Sequence, residues 1–558
     1  MWNARLQGLV CCLGLAALQA PLAHAAGRDL ALTYRSRVDG SAQPYRLYVP
    51  ASYDGSRPYP LVVALHGTTG DQNTFFANPK YLIQPIAAAA DEHGVIVLSP
   101  YGRGPREWRG TGELDLFEAM AEVRRSYRID PDRVYLTGHS MGGTGSAHVD
   151  FHHPDLFAAV APLASAFSFP WLVPNARHVP FWWIAGGDDK PLFHAGTMLG
   201  VDRMQALRFP VRFTMLPGKD HYGPVGDMEA VVAWLLQHRR VASPQSYAFV
   251  VETPLHGQAY RTRVHRLVAP GRLANVEVAC EGSRVTLTLG NVAEIAVFAE
   301  PARGRGPTPL EVWVGKRRVF QGPIDAGEEV RLSLEGTRWS ALRQQAARLN
   351  PDDFPVAPIA QARAQVDMSG TEAALANWMT DAMRWATGAE LAVINRQHYR
   401  GQAIPPGAVD MVHLLDAMPI TDRPVVTARL TGRELLEILD DNVPDPAKDR
   451  HYVKDGPYSS RLVQISGAHY TFDPTRPPGS RIVESDLVPD RTYTVCFDGA
   501  AMTNDVMMLM AGRFGKIPYR ETESPLGTVL YGYAVKTGSI EPRIEGRVRQ
   551  VQATASHR

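Results

Sequence analysis

Between residues 30 and 240, short apolar runs alternate with stretches of helical spacing, and this alternation constrains the possible fold more than any other feature of the chain. Runs without polar alternation are typical of strands that helices cover on both faces. Strands that alternate with helices predict βαβ units and a mostly parallel sheet. We therefore expect an α/β domain over residues 26–240, and its clearest strands are 61–65, 95–98, 134–137 and 181–185.

The pattern changes after residue 244. Residues 245–338 show short alternating strands separated by Gly and Pro, which predicts a small all-β module. Residues 339–365 combine polar helix formers with an Asn-Pro-Asp-Asp-Phe-Pro sequence and are interpreted as a linker. Residues 366–552 open with an amphipathic helix near 372–387 and predict an α+β C-terminal domain. A chain of 558 residues is long enough for three such units.

The first residues have the features of an export signal. Arg5 supplies a positive charge, residues 9–18 are apolar, and Ala23-His24-Ala25 offers small residues for cleavage. A membrane anchor would need about 20 apolar residues, which this run does not reach. We expect residues 1–25 to be removed after Ala25, and the mature protein to be periplasmic or secreted without a membrane contact.

Charge and cysteine content narrow the classes of partner. The chain has 58 Lys and Arg against 57 Asp and Glu, so it lacks the basic surplus that nucleic-acid binding requires. A small molecule or a neutral polymer is the expected substrate class, and the oligomeric state stays open. Only Cys280 and Cys496 remain after signal cleavage, in different predicted units, so we expect no disulfide framework. No cofactor is predicted.

The pentapeptide Gly-His-Ser-Met-Gly at 138–142 fits the pattern G-x-S-x-G. It follows the predicted strand 134–137 and precedes a helical stretch, which is the setting of a nucleophile on a strand–turn–helix. Glycines are needed there because the turn leaves no room for neighbouring side chains. Ser140 is therefore the candidate nucleophile.

A serine hydroxyl needs a histidine to accept its proton and a carboxylate to orient that histidine. In this type of fold the chain order is Ser, acid, His. Asp189 follows the predicted strand 181–185 and is the candidate acid, and His221 follows the predicted strand 211–216 and is the candidate base. Asp188 and Asp220 stay open as alternatives for the acid.

Two backbone amides should stabilise the oxyanion of the tetrahedral intermediate. The amide of Met141 is one candidate because it follows the nucleophile, and the amide of Thr68, just after the first apolar strand, is the other. His148 and His152 have the spacing of two metal ligands on a helix, but no matching carboxylate follows. We interpret them as structural and predict no metal site.

With these residues, segments 108–115, 129–143 and 153–159 resemble the secreted esterase branch of the α/β hydrolases. This branch includes polyhydroxybutyrate depolymerase-like, feruloyl esterase-like and acetylxylan esterase-like proteins, and prolyl oligopeptidase-like peptidases are relatives. The resemblance implies an α/β-hydrolase fold in the first domain. It also assigns the catalytic roles to Ser140, Asp189 and His221.

The last third resembles the C-terminal substrate-binding domain of periplasmic 5'-nucleotidases, in segments 375–382, 430–435 and 464–481. This resemblance makes Asn395 and Arg400 candidate substrate-binding residues. A glycine run is usual between them, and residues 396–399 here are Arg-Gln-His-Tyr. The chain shows no sequence pattern of the two-metal phosphoesterase domain that such enzymes need, so we predict no nucleotidase activity.

Three functional hypotheses follow from the sequence. The first is a serine hydrolase that cleaves carboxylic esters through an acyl-enzyme at Ser140, with the C-terminal domain as a binding or docking module. A serine peptidase of prolyl oligopeptidase type uses the same chemistry, but no propeller-like repeat precedes the hydrolase segment. A non-catalytic binding protein on a hydrolase scaffold is the third, because a fold alone does not establish activity.

Overall fold

The fold is described from a computed structural model, which covers residues 27–77, 86–225, 228–299, 307–346, 357–395, 401–418, 423–444, 462–499 and 517–551. The predicted signal segment lies outside these ranges. No helix within them is both long and apolar enough to cross a membrane.

The N-terminal domain is built on an eight-stranded sheet with the order β1-β2-β4-β3-β5-β6-β7-β8. From β4 through β3 to β8 all neighbouring strands are parallel. At the other edge β2 pairs antiparallel with both β1 and β4, so β2 alone runs against the direction of the other strands. The strands are β1 Arg28–Arg35, β2 Ala42–Val49, β3 Tyr59–Leu65, β4 Ile96–Pro100, β5 Ile129–His139, β6 Ala159–Leu163, β7 Phe181–Gly186 and β8 Val211–Leu216.

Helices cover both faces of this sheet, and a separate hydrophobic cluster lies on each face. Every residue of β3 is buried, which explains why its sequence is apolar without alternation. The predicted α/β-hydrolase fold with a mostly parallel sheet is confirmed. The helices are α1 Thr74–Ala77, α2 Ile86–His93, α3 Thr111–Ser126, α4 Met141–His152, α5 Pro191–Ala206 and α6 Met228–Leu235.

The β module consists of two five-stranded sheets, with the orders β10-β11-β14-β17-β18 and β16-β15-β13-β12-β9. Its strands alternate between buried and exposed positions, as two packed sheets require. They are β9 Ser246–Val251, β10 Gln258–Ala259, β11 Thr262–Leu267, β12 Ala274–Glu281, β13 Arg284–Gly290, β14 Val292–Phe298, β15 Thr308–Val314, β16 Arg317–Ile324, β17 Glu328–Glu335 and β18 Arg338–Gln345.

Strand β18 corrects the predicted end of this module. Residues 339–345, which we assigned to a linker with helix-forming residues, pair with β17 along their whole length. The strand lies at the sheet edge, and its half-buried Trp339 and Ala341 alternate with exposed polar residues. Tertiary pairing thus overrides the helical propensity of the polar side chains.

The C-terminal domain has a five-stranded sheet with the order β23-β20-β26-β22-β27, a three-stranded sheet β25-β24-β28 and the pair β19-β21. This mixture of strands and helices agrees with the predicted α+β class. Its strands are β19 Ala360–Ala362, β20 Leu391–Asn395, β21 Gly407–Val409, β22 Pro424–Thr431, β23 Val463–Ser466, β24 Tyr470–Phe472, β25 Ile482–Ser485, β26 Thr492–Asp498, β27 Tyr519–Pro525 and β28 Val548–Gln550. Its helices are α7 Ala374–Thr387, α8 Met411–Ala417, α9 Gly432–Asp441 and α10 Leu526–Thr537.

The β module and the C-terminal domain share one hydrophobic core. A single cluster of buried residues runs from Tyr247 in β9 to Ala534 in α10. At the contact between them the backbones approach closely, since a Cβ added to Gly532 would lie 2.4 Å from the Cα of Gly271. These two units therefore pack as one body.

Candidate active site

Ser140 lies in a sharp turn between β5 and α4. Its φ is 59°, a left-handed conformation that a side chain other than glycine adopts only when the surroundings hold it there. Its amide donates to the carbonyl of Leu163, and its own carbonyl accepts from the amide of Thr144. The turn therefore fixes the serine hydroxyl above the carboxyl end of the sheet.

Two glycines of the motif are required by close backbone contacts. A Cβ at Gly142 would lie 1.9 Å from the carbonyl oxygen of Leu65, and a Cβ at Gly138 would lie 2.3 Å from the carbonyl oxygen of Gly142. Any side chain at these positions would push the turn away from β3. The spacing G-x-S-x-G thus follows from packing of the turn against the neighbouring strand.

The structure brings Ser140, His221 and Asp189 into one chain of hydrogen bonds. The Nε2 atom of His221 lies 2.9 Å from Oγ of Ser140, and Nδ1 lies 2.8 Å from Oδ2 of Asp189. His221 follows β8 and Asp189 follows β7, so the three groups meet at the carboxyl ends of parallel strands. Asp188, an alternative acid, is exposed, and the carboxylate of Asp220, the other alternative, accepts from the backbone amide of Tyr222.

The carboxylate of Asp189 is fully buried, whereas the His221 side chain is 20% exposed. The other carboxylate oxygen of Asp189 accepts from the backbone amide of Lys190 at 2.7 Å. An ionised carboxylate only accepts hydrogen bonds, so Nδ1 of His221 carries the proton and Nε2 can accept one from Ser140. This arrangement can activate the serine hydroxyl as a nucleophile.

Two aromatic groups contact His221. The ring of Phe193 in α5 lies 4.0 Å from the His221 ring and that of His139 lies 4.7 Å from it, centre to centre. The Nε2 atom of His139 also lies 2.7 Å from the backbone carbonyl oxygen of His221. Burial lowers the pKa of His139 to about 4, so this imidazole is neutral at pH 7 and donates its single proton to that carbonyl.

The two oxyanion candidates come from different segments, the start of α4 and the turn after β3. Met141 is the first residue of α4 and is buried. Thr68 is half-buried in the turn after β3, and the preceding Gly67 is close enough that a Cβ there would lie 3.3 Å from Cβ of Ser140. The turn after β3 is therefore adjacent to the nucleophile.

Trp108 supports this turn from behind. Its indole Nε1 donates to the carbonyl oxygen of His66 at 3.2 Å, and the side chain is almost fully buried. The loop that carries it has three residues other than glycine with positive φ, namely Arg103, Glu107 and Trp108. Such a loop persists only where its surroundings determine its conformation.

The C-terminal domain contacts the end of that loop. Asp416 in α8 accepts hydrogen bonds from the backbone amide and the hydroxyl of Thr111, both at 2.9 Å. Thr111 begins α3, three residues after Trp108. The C-terminal domain therefore contacts the chain at Thr111, only three residues after Trp108, the side chain that supports the turn after β3.

The candidate ligand-binding residues of the C-terminal domain are not brought to the hydrolase site by any described contact. Asn395 is the last residue of β20, where its backbone pairs with Val463, and its side chain is outside the described part of the chain. Arg400 also lies outside the described residues.

Sequence reasoning missed a buried cluster at the joint between the first domain and the β module. Glu113 in α3 contacts both His153 and His256. One signal was available, since Glu113 lies on the buried face of α3, where an acidic residue requires a polar partner. The partner in the β module could not be identified from local sequence.

Two family models match the chain. Residues 40–199 match the model described as "Putative esterase", and residues 355–509 match the model described as "5'-nucleotidase, C-terminal domain". Both resemblances inferred from the sequence are thereby confirmed for these segments. The second match begins within the segment that we predicted as a linker.

Three curated relatives resemble the hydrolase segment. A bifunctional acetylxylan esterase/xylanase of Neocallimastix patriciarum is 29% identical over 28% of this chain and 23% of its own length. A "putative esterase" of Nocardia uniformis is 32% identical over 24% of this chain and 41% of its own length. A poly(3-hydroxyalkanoate) depolymerase of Paucimonas lemoignei is 28% identical over 27% of this chain and 37% of its own length. The chain thus spans less than half the length of each of these relatives.

Proposed function

We propose that this protein is a serine hydrolase that cleaves carboxylic esters through an acyl-enzyme at Ser140. The observation that carries the proposal is the position of His221, which contacts the serine hydroxyl through one ring nitrogen and a buried carboxylate through the other. The match of residues 40–199 to an esterase family model supports the choice of an ester bond.

In the proposed reaction, Nε2 of His221 accepts the hydroxyl proton as Oγ of Ser140 attacks the ester carbonyl. The amides of Met141 and Thr68 stabilise the oxyanion, a contribution of about 10² to 10³ in rate for each donor. The protonated His221 then transfers its proton to the leaving alcohol. Water then attacks the acyl carbon and gives one proton to His221. The bond between the acyl carbon and Oγ breaks as His221 returns this proton to Oγ, which releases the acid and regenerates the Ser140 hydroxyl.

The substrate is proposed to be a small ester or an ester polymer. Two of the relatives carry names that refer to polymers, a poly(3-hydroxyalkanoate) in one and xylan in the other. Part of the site is open, because His221 keeps one fifth of its side-chain surface exposed beside Phe193. This exposure gives an acyl group access to Ser140.

The C-terminal domain is proposed to act as a docking module that does not hydrolyse nucleotides. Its hydrogen bonds from Asp416 to Thr111 and its shared core with the β module support a structural attachment to the hydrolase. The mature protein is proposed to act in the periplasm or outside the cell, on the strength of the signal-like residues 1–25.

The test is hydrolysis of short and medium p-nitrophenyl esters by the mature protein, its Ser140→Ala variant and a Ser56→Ala control at an exposed serine. We expect Ser140→Ala to lose about 10³-fold or more of kcat while the control keeps full activity. A fluorophosphonate probe should label Ser140 alone, as read by peptide mass spectrometry. Equal turnover in all three proteins would contradict the proposal.

A peptidase is distinguished by the same proteins on aminoacyl p-nitroanilides. These substrates release a poor amine leaving group, which an esterase cleaves far more slowly than an ester. A preference for the anilides would replace the ester proposal with the peptidase. Absence of both activities together with absence of probe labelling would favour a non-catalytic binding protein.

A further inference from the structure

A second cluster of chemically active side chains lies away from the triad, at the joint between the N-terminal domain and the β module. The two carboxylate oxygens of Glu113 contact Nε2 of His153 at 2.8 Å and Nε2 of His256 at 3.0 Å. Glu113 lies in the first turn of α3, His153 follows α4, and His256 comes from the short helical turn Pro254–His256 of the β module. Three separate segments thus direct one donor each to a common point.

The geometry of these donors fits a tetrahedral metal ion. One donor atom from each of Glu113, His153 and His256 lies within 4.8 Å of the other two. Among the described residues, these three form a group of carboxylate and imidazole donors that could hold one metal ion. Two imidazoles bound through Nε2 to one zinc ion, at ~2.1 Å each, would have ring centres about 5 Å apart. The ring centres of His153 and His256 are 5.6 Å apart, and the planes are inclined at 85°. Little movement is needed to place both nitrogens on one ion.

The residue types also suit metal binding. Two imidazoles and one carboxylate are a set of ligands that zinc uses in proteins. The three side chains are largely withdrawn from water, since Glu113 and His256 are buried and His153 is half-buried.

A second layer of polar groups surrounds the three donors. The ring of His152 lies 4.0 Å from that of His256, and its Nε2 is held by the carboxylate of Glu252 at 3.0 Å. Glu252 adds a second negative charge close to the site. The Nδ1 atom of buried His148 has no hydrogen-bond partner among the described residues, although its ring lies 4.2 Å from that of His152. Three imidazoles, those of His148, His152 and His256, are thus buried at this joint.

We propose that Glu113, His153 and His256 form a binding site for one divalent transition-metal ion of the zinc class, which joins the N-terminal domain to the β module. Water completes the tetrahedron as the fourth ligand. In the bound state each ring coordinates through an Nε2 that carries no proton, and the one proton of the neutral imidazole, which lies on Nε2 in the metal-free hydrogen bond to Glu113, is at Nδ1. Helix α4 separates Ser140 at its start from His153 at its end by about 18 Å, so the ion has a structural role and does not take part in ester cleavage.

The experiment uses the full mature chain, stripped of metal with a chelator and dialysed. The stripped chain is then dialysed against a slight excess of zinc, and the bound zinc is measured by mass spectrometry. The affinity for zinc is measured by competition with a chromophoric chelator. We expect one zinc per chain. Cobalt(II) in its place should give the visible absorption of a four-coordinate ion.

The His256→Gln variant separates metal binding from hydrogen bonding, since a Gln amide can still donate to Glu113 but is a poor zinc ligand. We expect its zinc affinity to fall by about 100-fold or more, while its kcat with p-nitrophenyl esters stays unchanged. His93→Gln is the matched control, because His93 also contacts a glutamate, Glu229 at 2.8 Å, on the surface and without a third donor. Its zinc binding should equal that of the unmodified chain.

Zinc should also raise the midpoint of thermal unfolding of the unmodified chain and not that of His256→Gln. An unmodified chain that retains no zinc and gives no cobalt spectrum would overturn the proposal. Equal zinc affinity in His256→Gln would overturn it as well. If His256→Gln does not fold, stoichiometry and the cobalt spectrum of the unmodified chain decide, and either result leaves the ester-hydrolase proposal untouched.

Discussion

Asp416 supplies the N-terminal cap of a helix that begins at Thr111, 305 positions earlier in the chain. The residue before that helix is Gly110, which has no side chain to accept from the free amides. A carboxylate at this end of a helix also interacts favourably with the helix dipole. There is no room for another side chain, because a Cβ at Gly110 would lie 2.5 Å from Oδ1 of Asp416. The cap is therefore provided by the C-terminal domain in place of the helix itself.

Removal of this cap by Asp416→Ala should lower stability by about 1–2 kcal/mol, because the amide and hydroxyl of half-buried Thr111 lose their acceptor. We also expect a lower kcat, since α3 follows the loop that supports the turn after β3. Urea unfolding and p-nitrophenyl ester turnover measure the two effects. Asp490→Ala is the control, because the Asp490 side chain is 88% exposed. If Asp416→Ala and Asp490→Ala unfold at the same urea concentration and turn over the ester equally fast, the contact of Asp416 with Thr111 contributes to neither stability nor catalysis.

Asp189→Asn should reduce kcat by about 10⁴-fold with little change in stability, because an amide no longer holds Nδ1 of His221 as the protonated nitrogen. The matched control is Asp188→Asn, since Asp188 is the neighbouring exposed carboxylate. Turnover of p-nitrophenyl esters by the two variants is the measurement. A larger loss in Asp188→Asn would transfer the acid role to that residue.

Gly142→Ala should give inactive protein or none in the soluble fraction, because the added Cβ would lie 1.9 Å from the carbonyl of Leu65. Gly290→Ala serves as the control, since a Cβ there meets its nearest neighbour at an ordinary 3.7 Å. Soluble yield and fluorophosphonate labelling of both variants test the prediction. Normal labelling of Gly142→Ala would mean that the turn after β5 can move away from β3.

Asp150→Asn should gain stability relative to the unmodified chain as the pH rises from 5 to 8. Both carboxyl oxygens of Asp150 are buried without a hydrogen-bond partner among the described residues, and burial together with Asp155 raises the pKa well above its usual value. The folded chain keeps a proton that the unfolded chain releases near pH 4, so unfolding becomes easier with rising pH, by up to about 1.4 kcal/mol per unit. Asparagine lacks this dependence. Urea midpoints at both pH values test the prediction, which a pH-independent difference would contradict.

The triad could be anticipated from the sequence because each member follows an apolar strand in a fixed order. Ser140, Asp189 and His221 need only the local pattern of strand and turn to be placed at one edge of a parallel sheet. Local sequence does not distinguish the two candidate acids, since Asp188 has the same local setting as Asp189. Only the turn after β7 shows which of the two side chains is buried.

Contacts between units could not be predicted in this way. The partners Glu113 and His256 are far apart in sequence, as are Thr111 and Asp416, and no local pattern relates them. Strand β18 was missed for a related reason, since edge strands have few buried residues and their exposed positions resemble those of a polar helix. In each case the decisive interaction comes from another element of the fold.

The core that the β module shares with the C-terminal domain determines how this chain can be shortened. A cut in the segment between β18 and β19 would expose to water the apolar side chains that now lie between the two units, Leu530 of α10 among them. Each half would then have a large apolar patch and a tendency to aggregate. Expression trials that treat the C-terminal domain as a detachable tag should therefore give insoluble fragments, and the workable unit for crystallisation or engineering extends from the first strand to the last.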